Sequence, residues 1–320
     1  MNPKTKKRLQ IIIPLILAVF FGWYTFSLIP VSEIIPHFKN AQYSWVLLGV
    51  FFGLLSHLSR AYRWLFMLEP LGYKVKLPNS TMAVFATYLI NYTIPRAGEV
   101  ARASILTNYE GVPFEKGFGT IVAERIADMI VMLGIIGITF ILQFDYIYQF
   151  LSEKLEPTKL LIAGVLFALL AVLVFLYIKK SSSVFAKKVK VFVNGLIEGA
   201  LSIFKMKKKW AFIFHTLFIW FMYVAMFYVT TFTLPQTSNL PIAAILIAFI
   251  SASFTIAATN GGMFFYPAAV AAAFSFFAVA KEPGIAFGWI MWTSQTVLII
   301  IFGGLSLLYL PIYNRQKPAN

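Results

Sequence analysis

Two clusters of charged side chains lie within apolar stretches of this chain, where a membrane protein tolerates ionisable groups least. The first lies in Asn91–Ala103, NYTIPRAGEVARA, and the second is Ala123–Asp128, AERIAD. Each charge near the centre of a bilayer costs about 2.5–3.5 kcal/mol even on lenient scales. Such groups need one another, a water-filled cavity or a polar ligand. We therefore predict that the functional site contains Arg96, Glu99, Arg102, Glu124, Arg125 and Asp128.

The spacing within the clusters allows two roles. Glu124 and Asp128 are four residues apart, so they share one face of a helix, and Glu99 is three residues from both Arg96 and Arg102. If the clusters converge, three positive and three negative charges neutralise one another as an ion-pair network that holds the fold. The alternative is a ligand site, in which arginine offers bidentate contacts to phosphate and interrupted helices offer free backbone N–H groups. The sequence leaves both roles open.

Two further sets of residues are candidates for the site. Asn260, Gly261 and Gly262 interrupt a late apolar stretch, and we interpret them as a backbone-lined tip that faces the hairpin predicted around the first cluster, with a plain turn as the alternative. Arg60 and Arg63 in SRAYRW are interpreted as arginines that extend to the membrane interface. Their spacing also allows contact with a lipid headgroup.

Composition identifies the class of protein that holds these residues. The chain has 320 residues, of which 60% are hydrophobic and 12% charged, whereas soluble domains carry about 25% charged residues. The net charge of +15 comes from short basic segments beside apolar runs, which is typical of cytoplasmic loops and not of nucleic-acid binding. We therefore predict an all-α, polytopic integral membrane protein.

The apolar runs and the loop charges predict a topology. We expect a single transmembrane domain, with both termini cytoplasmic because lysine and arginine favour that side. Residues 1–143 form the first half and 158–312 the second, with 179–209 as a basic cytoplasmic linker that includes an amphipathic or solvated segment, 181–205. The six predicted spanning helices are 9–29, 43–67, 117–143, 158–178, 210–233 and 284–310.

Two broken apolar regions, 79–106 and 241–280, complete this topology. Each must begin and end on the same side of the membrane, and 79–106 carries too many charges for a lipid-exposed span. We interpret them as re-entrant helical hairpins that enter from opposite faces, which makes the two halves an inverted repeat with the substrate site at the breaks. The alternative is two ordinary helix pairs in an eight-span bundle.

The sequence carries few signs of other chemistry. Its three histidines are scattered without metal-ligand spacing, cysteine is absent, and no phosphate-binding loop of the Walker type occurs. We therefore predict no metal, no cofactor and no catalytic residue.

Several of these segments resemble one family of bacterial and archaeal membrane proteins. RAYRW (Arg60–Trp64), PRAGEVARA, ERIAD and the late NGG hairpin are similar to the flippase-like transmembrane region of lysylphosphatidylglycerol synthases. The resemblance covers nearly the whole chain and implies a domain that moves lipids between leaflets, coupled in two-part members to a soluble aminoacyl-transferase. The late motif differs, since this chain has Thr259–Gly262 where many relatives have Pro-Gly-Gly followed by an acidic residue.

The function predicted from these observations is translocation of a lipid or lipid-linked headgroup in a bacterial or archaeal plasma membrane. We expect a membrane phospholipid or lipid-linked substrate, no nucleic acid, and no lysyltransferase activity in this polypeptide. Two alternatives stay open: a membrane-embedded lipid-modifying transferase, and a non-transporting partner subunit of a soluble lipid-modifying enzyme.

Overall fold

The structure, a computed structural model, describes residues 31–94, 96–144, 206–259 and 261–315, with scattered positions between 158 and 187. The chain divides into two compact units, Met1–Val122 with Trp210–Asn320, and Ala123–Lys209. The contacts described below lie within the first unit. The predicted span 9–29 lies outside the described residues, and 158–178 and 181–205 are described only at scattered positions.

Regular structure in the described residues is helical throughout. We number these helices in chain order: α1 (Val31–Lys39), α2 (Tyr43–Leu68), α3 (Leu77–Thr93), α4 (Ala97–Glu110), α5 (Phe114–Leu142), α6 (Lys209–Thr231), α7 (Ile242–Ala258), α8 (Phe265–Ser275) and α9 (Lys281–Tyr313). A 3-10 turn, Glu69–Leu71, follows α2.

Four of these helices, α2, α5, α6 and α9, are long and apolar enough to cross a membrane. They agree with the predicted spans 43–67, 117–143, 210–233 and 284–310 to within a few residues. Their outward-facing side chains are large and apolar, such as Leu47 and Phe221, as expected for surfaces that face lipid. The chain is an all-helical, polytopic membrane protein.

Both regions predicted to be broken form pairs of short helices. The first pair, α3 and α4, has 17 and 14 residues, and the second, α7 and α8, has 17 and 11. At 1.5 Å per residue the longest of these reaches about 26 Å and the shortest about 17 Å, less than the hydrocarbon core of about 30 Å. The lengths favour hairpins over two ordinary spanning pairs.

The first hairpin begins and ends at the same place. The Glu110 carboxylate, at the end of α4, accepts hydrogen bonds from the backbone N–H of Lys76 at 3.3 Å and from the Asn79 side chain at 2.5 Å. Asn79 also exchanges side-chain hydrogen bonds with Asn314 after α9, at 2.9 and 3.0 Å. These bonds join the base of the hairpin to the end of α9.

Helix α9 is the scaffold for both hairpins. Its first half packs on α8, where Gly284 contacts Ala271 and Gly288 contacts Pro267. Its second half packs on α3, where Gly303 leaves room for Leu89 and the Phe85 carbonyl. Small residues at helix crossings let backbones approach closely in membranes. Each hairpin therefore packs against a different half of one long helix.

Helices α2 and α6 run antiparallel. Gly49 lies against Thr230 near one end. At the other end Ser59 and His215 are hydrogen-bonded at 2.8 Å, and the Arg63 guanidinium donates to Thr216 at 2.8 Å. This pairing gives α2 one face toward α6 and leaves another for α3, where the Ser80 hydroxyl donates to the Ala61 carbonyl at 2.7 Å.

Candidate functional site

The break between α3 and α4 is held by one asparagine. The Asn91 side-chain oxygen accepts a hydrogen bond from the Gly98 N–H at 2.8 Å, and its amide donates to both Glu99 carboxylate oxygens at 3.3 and 3.4 Å. Arg96 is the residue that turns the chain, with a left-handed φ of 59°, and it is exposed. The predicted site residue Glu99 is thus tied to the break itself.

The break between α7 and α8 is a glycine turn. Gly261 and Gly262 have φ of 70° and 80°, a conformation that glycine adopts at little cost. The Gly262 N–H donates to the Thr259 hydroxyl at 3.0 Å, and that hydroxyl donates back to the Thr255 carbonyl at 2.7 Å. Asn260, also predicted for the site, lies outside the described residues.

The two breaks meet beside the middle of α9. The Tyr92 ring, at the end of α3, lies directly against Gly261. The Trp292 indole N–H donates to the Gly261 carbonyl at 2.7 Å, and the Thr296 hydroxyl donates to the Tyr92 hydroxyl at 3.2 Å. We call Tyr92, Gly261, Trp292 and Thr296 the tip junction. It confirms that the glycine tip faces the first hairpin.

Replacing Gly261 by alanine is expected to separate the hairpin tips, because the added Cβ would overlap the Tyr92 ring. The matched control is Gly111→Ala. Gly111 has nearly the same φ, 68°, and no neighbour within 4 Å of an added Cβ, so both variants pay the same backbone cost of about 1–2 kcal/mol. Thermal unfolding should show that Gly261→Ala is the less stable variant.

Introducing Gly261→Ala into a Tyr92→Ala variant distinguishes the overlap with the Tyr92 ring from the backbone strain at Gly261. There, Gly261→Ala should cost no more than Gly111→Ala costs in the wild-type chain. Equal unfolding temperatures for the two single variants would contradict the tip contact.

Three of the described arginines in the first unit are buried. Arg60 and Arg63 on α2 and Arg102 on α4 are each at most 3% exposed. We call them the arginine group. The interpretation of Arg60 and Arg63 as interface anchors is wrong, because α6 and α3 cover this end of α2 and protein, not water, surrounds the side chains.

Trp64 organises the centre of this group. The Arg102 guanidinium lies 3.8 Å from the centre of the Trp64 ring, and the Trp64 indole N–H donates to the Thr120 hydroxyl on α5 at 2.8 Å. Arg63 lies 5.3 Å from the centre of the Phe212 ring. Cation–π contacts of this kind stabilise arginine where water is scarce.

The second charged cluster lies on α5, within the second unit. Glu124 and Asp128 are buried, at 0% and 6% exposure, while Arg125 is exposed. The shared face predicted from their spacing is confirmed. The further prediction, that this cluster joins Arg96, Glu99 and Arg102 in one site, concerns residues of both units and stays a prediction.

The sequence predicts only part of these contacts. Tyr92 and Trp64 lie in the motifs that the sequence analysis singled out, but nothing in the sequence shows that Tyr92 contacts Gly261 or that Trp64 contacts Arg102. Trp292 and Thr296 lie in an unbroken apolar helix and carry no local signal. Among the described residues, no group of three His, Cys, Asp or Glu side chains is placed to hold a metal ion.

Long apolar helices and two broken helical pairs, both packed on one scaffold helix, define a polytopic helical membrane protein. The chain belongs to the family of the lysylphosphatidylglycerol synthase TM region, whose model matches residues 11–304. The predicted resemblance is therefore confirmed over nearly the whole chain.

Two curated relatives show how far sequence similarity extends. The chain is 27% identical over 141 residues to glycosyltransferase AglD of Haloferax volcanii, covering 44% of this chain and 23% of that protein. It is 26% identical over 173 residues to the UPF0104 membrane protein MJ1595 of Methanocaldococcus jannaschii, covering 52% of this chain and 49% of that protein. The matches thus span at most about half the length of these relatives. No solved structure matches the chain.

Proposed function

We propose that this protein moves a lipid or a lipid-linked headgroup between the leaflets of a bacterial or archaeal plasma membrane, with both of its termini in the cytoplasm. The observation that carries the proposal is the tip junction. In transporters, interrupted helices that meet inside the membrane form the substrate site. A helix break exposes backbone polar groups, which are tolerated there only where protein or a water-filled cavity surrounds them.

The depth of the tip junction supports this role. At 1.5 Å per residue, Thr296 lies about 22 Å from the start of α9 and about 26 Å from its end. Tyr92 lies about 23 Å from the start of α3. With α9 centred across the bilayer, the two hairpins meet near its middle, where a translocation pathway must pass a polar headgroup from one side to the other.

The arginine group supplies recognition of phosphate. Guanidinium groups match phosphate oxygens in pairs. Arg102 is already oriented by the Trp64 ring, so little side-chain freedom is lost on binding. A headgroup phosphate held here would lie on the path toward the first break, because Arg102 is on the helix that begins at that break.

A membrane-embedded lipid-modifying transferase is the second candidate. It is favoured by the similarity to a protein named as a glycosyltransferase. Lipid mass spectrometry of cells with and without the gene separates the two functions. A transferase yields a new lipid species, whereas a translocator changes only the leaflet in which a lipid lies.

Reconstitution into vesicles tests the proposal directly. Labelled phospholipids from the native membrane should move between leaflets faster than in empty vesicles. Arg96→Ala and Asp128→Asn should each slow this movement about tenfold, equivalent to about 1.4 kcal/mol in the barrier. Glu115→Gln is the matched control for Asp128→Asn, because Glu115 lies on the same helix but is exposed in its first turn.

Two results would count against the proposal. No movement of any native lipid above that in empty vesicles would contradict translocation itself. Wild-type rates in both Arg96→Ala and Asp128→Asn would contradict the assignment of the charged clusters to the pathway.

A further inference from the structure

A second group of polar side chains, without charge, lies beside the middle of α2. His57 on α2 is only 7% exposed, and three aromatic rings surround it. The ring centroids of Tyr88, Phe85 and Tyr223 lie 4.6, 5.5 and 6.2 Å from that of His57. By helix rise, His57 lies about 21 Å from the start of α2 and about 17 Å from its end.

Gln295 on α9 reaches the same face of α2. Its side-chain oxygen lies so close to Gly53 that an added Cβ would overlap it, and Gly53 is one helical turn before His57. Gln295 precedes Thr296 of the tip junction, and Tyr88 is one turn before Tyr92. The uncharged group therefore adjoins the place where the hairpins meet.

Several nitrogens in this group lack hydrogen-bond partners. Among the described residues, this holds for His57 Nδ1, for Gln295 Nε2 and for Trp220 Nε1. The Trp220 ring lies 6.0 Å from that of Tyr223, which also contacts His57. A buried polar atom without a partner costs free energy, so such atoms in a native protein require an explanation, and binding of a ligand is one.

The chemistry of these groups indicates what they bind. An amide N–H and an indole N–H donate hydrogen bonds, and an imidazole nitrogen donates or accepts one. Neutral donors and acceptors between aromatic rings match hydroxyl groups on a compact, uncharged moiety.

We propose that His57, Gln295 and Trp220 form a binding site for the hydroxyl-bearing part of a lipid headgroup, either glycerol or a sugar. The inference rests on the proposed function and adds to it a specificity that the arginines do not supply. The arginine group holds the phosphate, and the uncharged site selects headgroups that carry hydroxyls.

Three phospholipids with identical acyl chains test the site in reconstituted vesicles: phosphatidylglycerol, phosphatidylglucose and phosphatidate. His57→Phe keeps an aromatic ring without nitrogen, and Gln295→Leu keeps similar volume without the amide. Both should slow the hydroxylated lipids about tenfold and leave phosphatidate unchanged. The first two lipids distinguish glycerol from sugar. His37→Phe and Gln42→Leu, outside the group, are the matched controls.

Stability gives an independent readout. Removing an unpartnered buried polar atom should not cost stability, so His57→Phe should unfold at the same or a higher temperature while transporting the hydroxylated lipids more slowly. A histidine that serves only packing would give the opposite result, with a lower unfolding temperature. Equal slowing of all three lipids, or of none, would also overturn the inference.

A binding measurement tests the hydroxyl site even if the protein proves not to transport lipids. If the wild-type protein moves none of the lipids, native mass spectrometry of the purified protein with the same three lipids still tests the site. Preferential retention of a hydroxylated lipid, lost in His57→Phe, supports the site without transport. No preference in the wild-type protein overturns it.

Discussion

Gly98→Ala is expected to destabilise the protein strongly, because it adds a Cβ where α4 approaches the backbone of α3 most closely in the first hairpin. An added Cβ would overlap the carbonyl oxygen of Thr87 and the side chain of Asn91. Backbone cannot move aside as a flexible side chain can, and overpacking in a well-packed core costs about 1–3 kcal/mol or more. The substitution should push α4 away from α3 and weaken the bond from the Gly98 N–H to Asn91.

Thermal unfolding of the purified protein measures this effect. Gly119→Ala is the matched control, because it is also a helical glycine but meets no atom within 4 Å. It should unfold at the wild-type temperature or slightly above it, since alanine favours helix by up to about 1 kcal/mol over glycine.

A second substitution identifies the limiting contact. Trimming Asn91 to alanine in the Gly98→Ala background should not restore stability, because the Thr87 carbonyl remains in the way. Recovery in that double variant would show that the Asn91 side chain, and not the backbone, limits the approach of α3 and α4.

The helix breaks could be predicted from local sequence. Asn, Gly and Pro interrupt two long apolar runs, and helix-breaking residues act through the backbone at their own positions. The four described spans were likewise predictable, because apolar length is a local property. The scaffold role of α9 could not be predicted in this way. That role depends on which helices contact Gly284, Gly288 and Gly303, and a glycine in an apolar run does not show what packs on it.

Dependence on contacts between distant parts of the chain also explains which site residues were predicted wrongly or missed. Arg60 and Arg63 near the end of a span fit the pattern of interface anchors, but whether a side chain reaches water depends on the helices that cover it. In the sequence, His57 is far from the other two histidines and carries no pattern that marks it as a site residue. Its ring neighbours come from α3 and α6, at distant places in the chain. Charged residues are easily recognised in an apolar sequence as candidate site residues, whereas neutral polar residues are not.

Replacing Arg102 is expected to have the largest effect on transport within the arginine group. The side chain is 1% exposed, and its guanidinium stacks on the Trp64 ring at 3.8 Å. Arg102→Lys keeps the charge but loses the planar stack and the paired donors that match phosphate. We expect it to lower the transport rate about tenfold per folded protein, equivalent to about 1.4 kcal/mol in the barrier. Arg102→Gln, which also loses the charge, should lower it further.

The variant Trp64→Phe tests whether the indole N–H of Trp64 is needed for transport or only for stability. It keeps an aromatic face for Arg102 but removes the indole N–H that donates to Thr120. Because the charge and the ring both remain, this variant should lose some stability, about 1 kcal/mol for one hydrogen bond, yet retain most transport.

Rates must be normalised to the amount of folded protein, since desolvated cation–π contacts contribute about 2 kcal/mol and their loss will lower yield. Arg315→Gln, at an exposed position after α9, is the control for loss of a positive charge. If Arg102→Lys and Arg102→Gln unfold earlier but transport at the wild-type rate per folded molecule, Arg102 only holds α4 against α2. The phosphate would then have to be bound elsewhere, because a residue that contacts the headgroup cannot lose its paired donors without changing the rate.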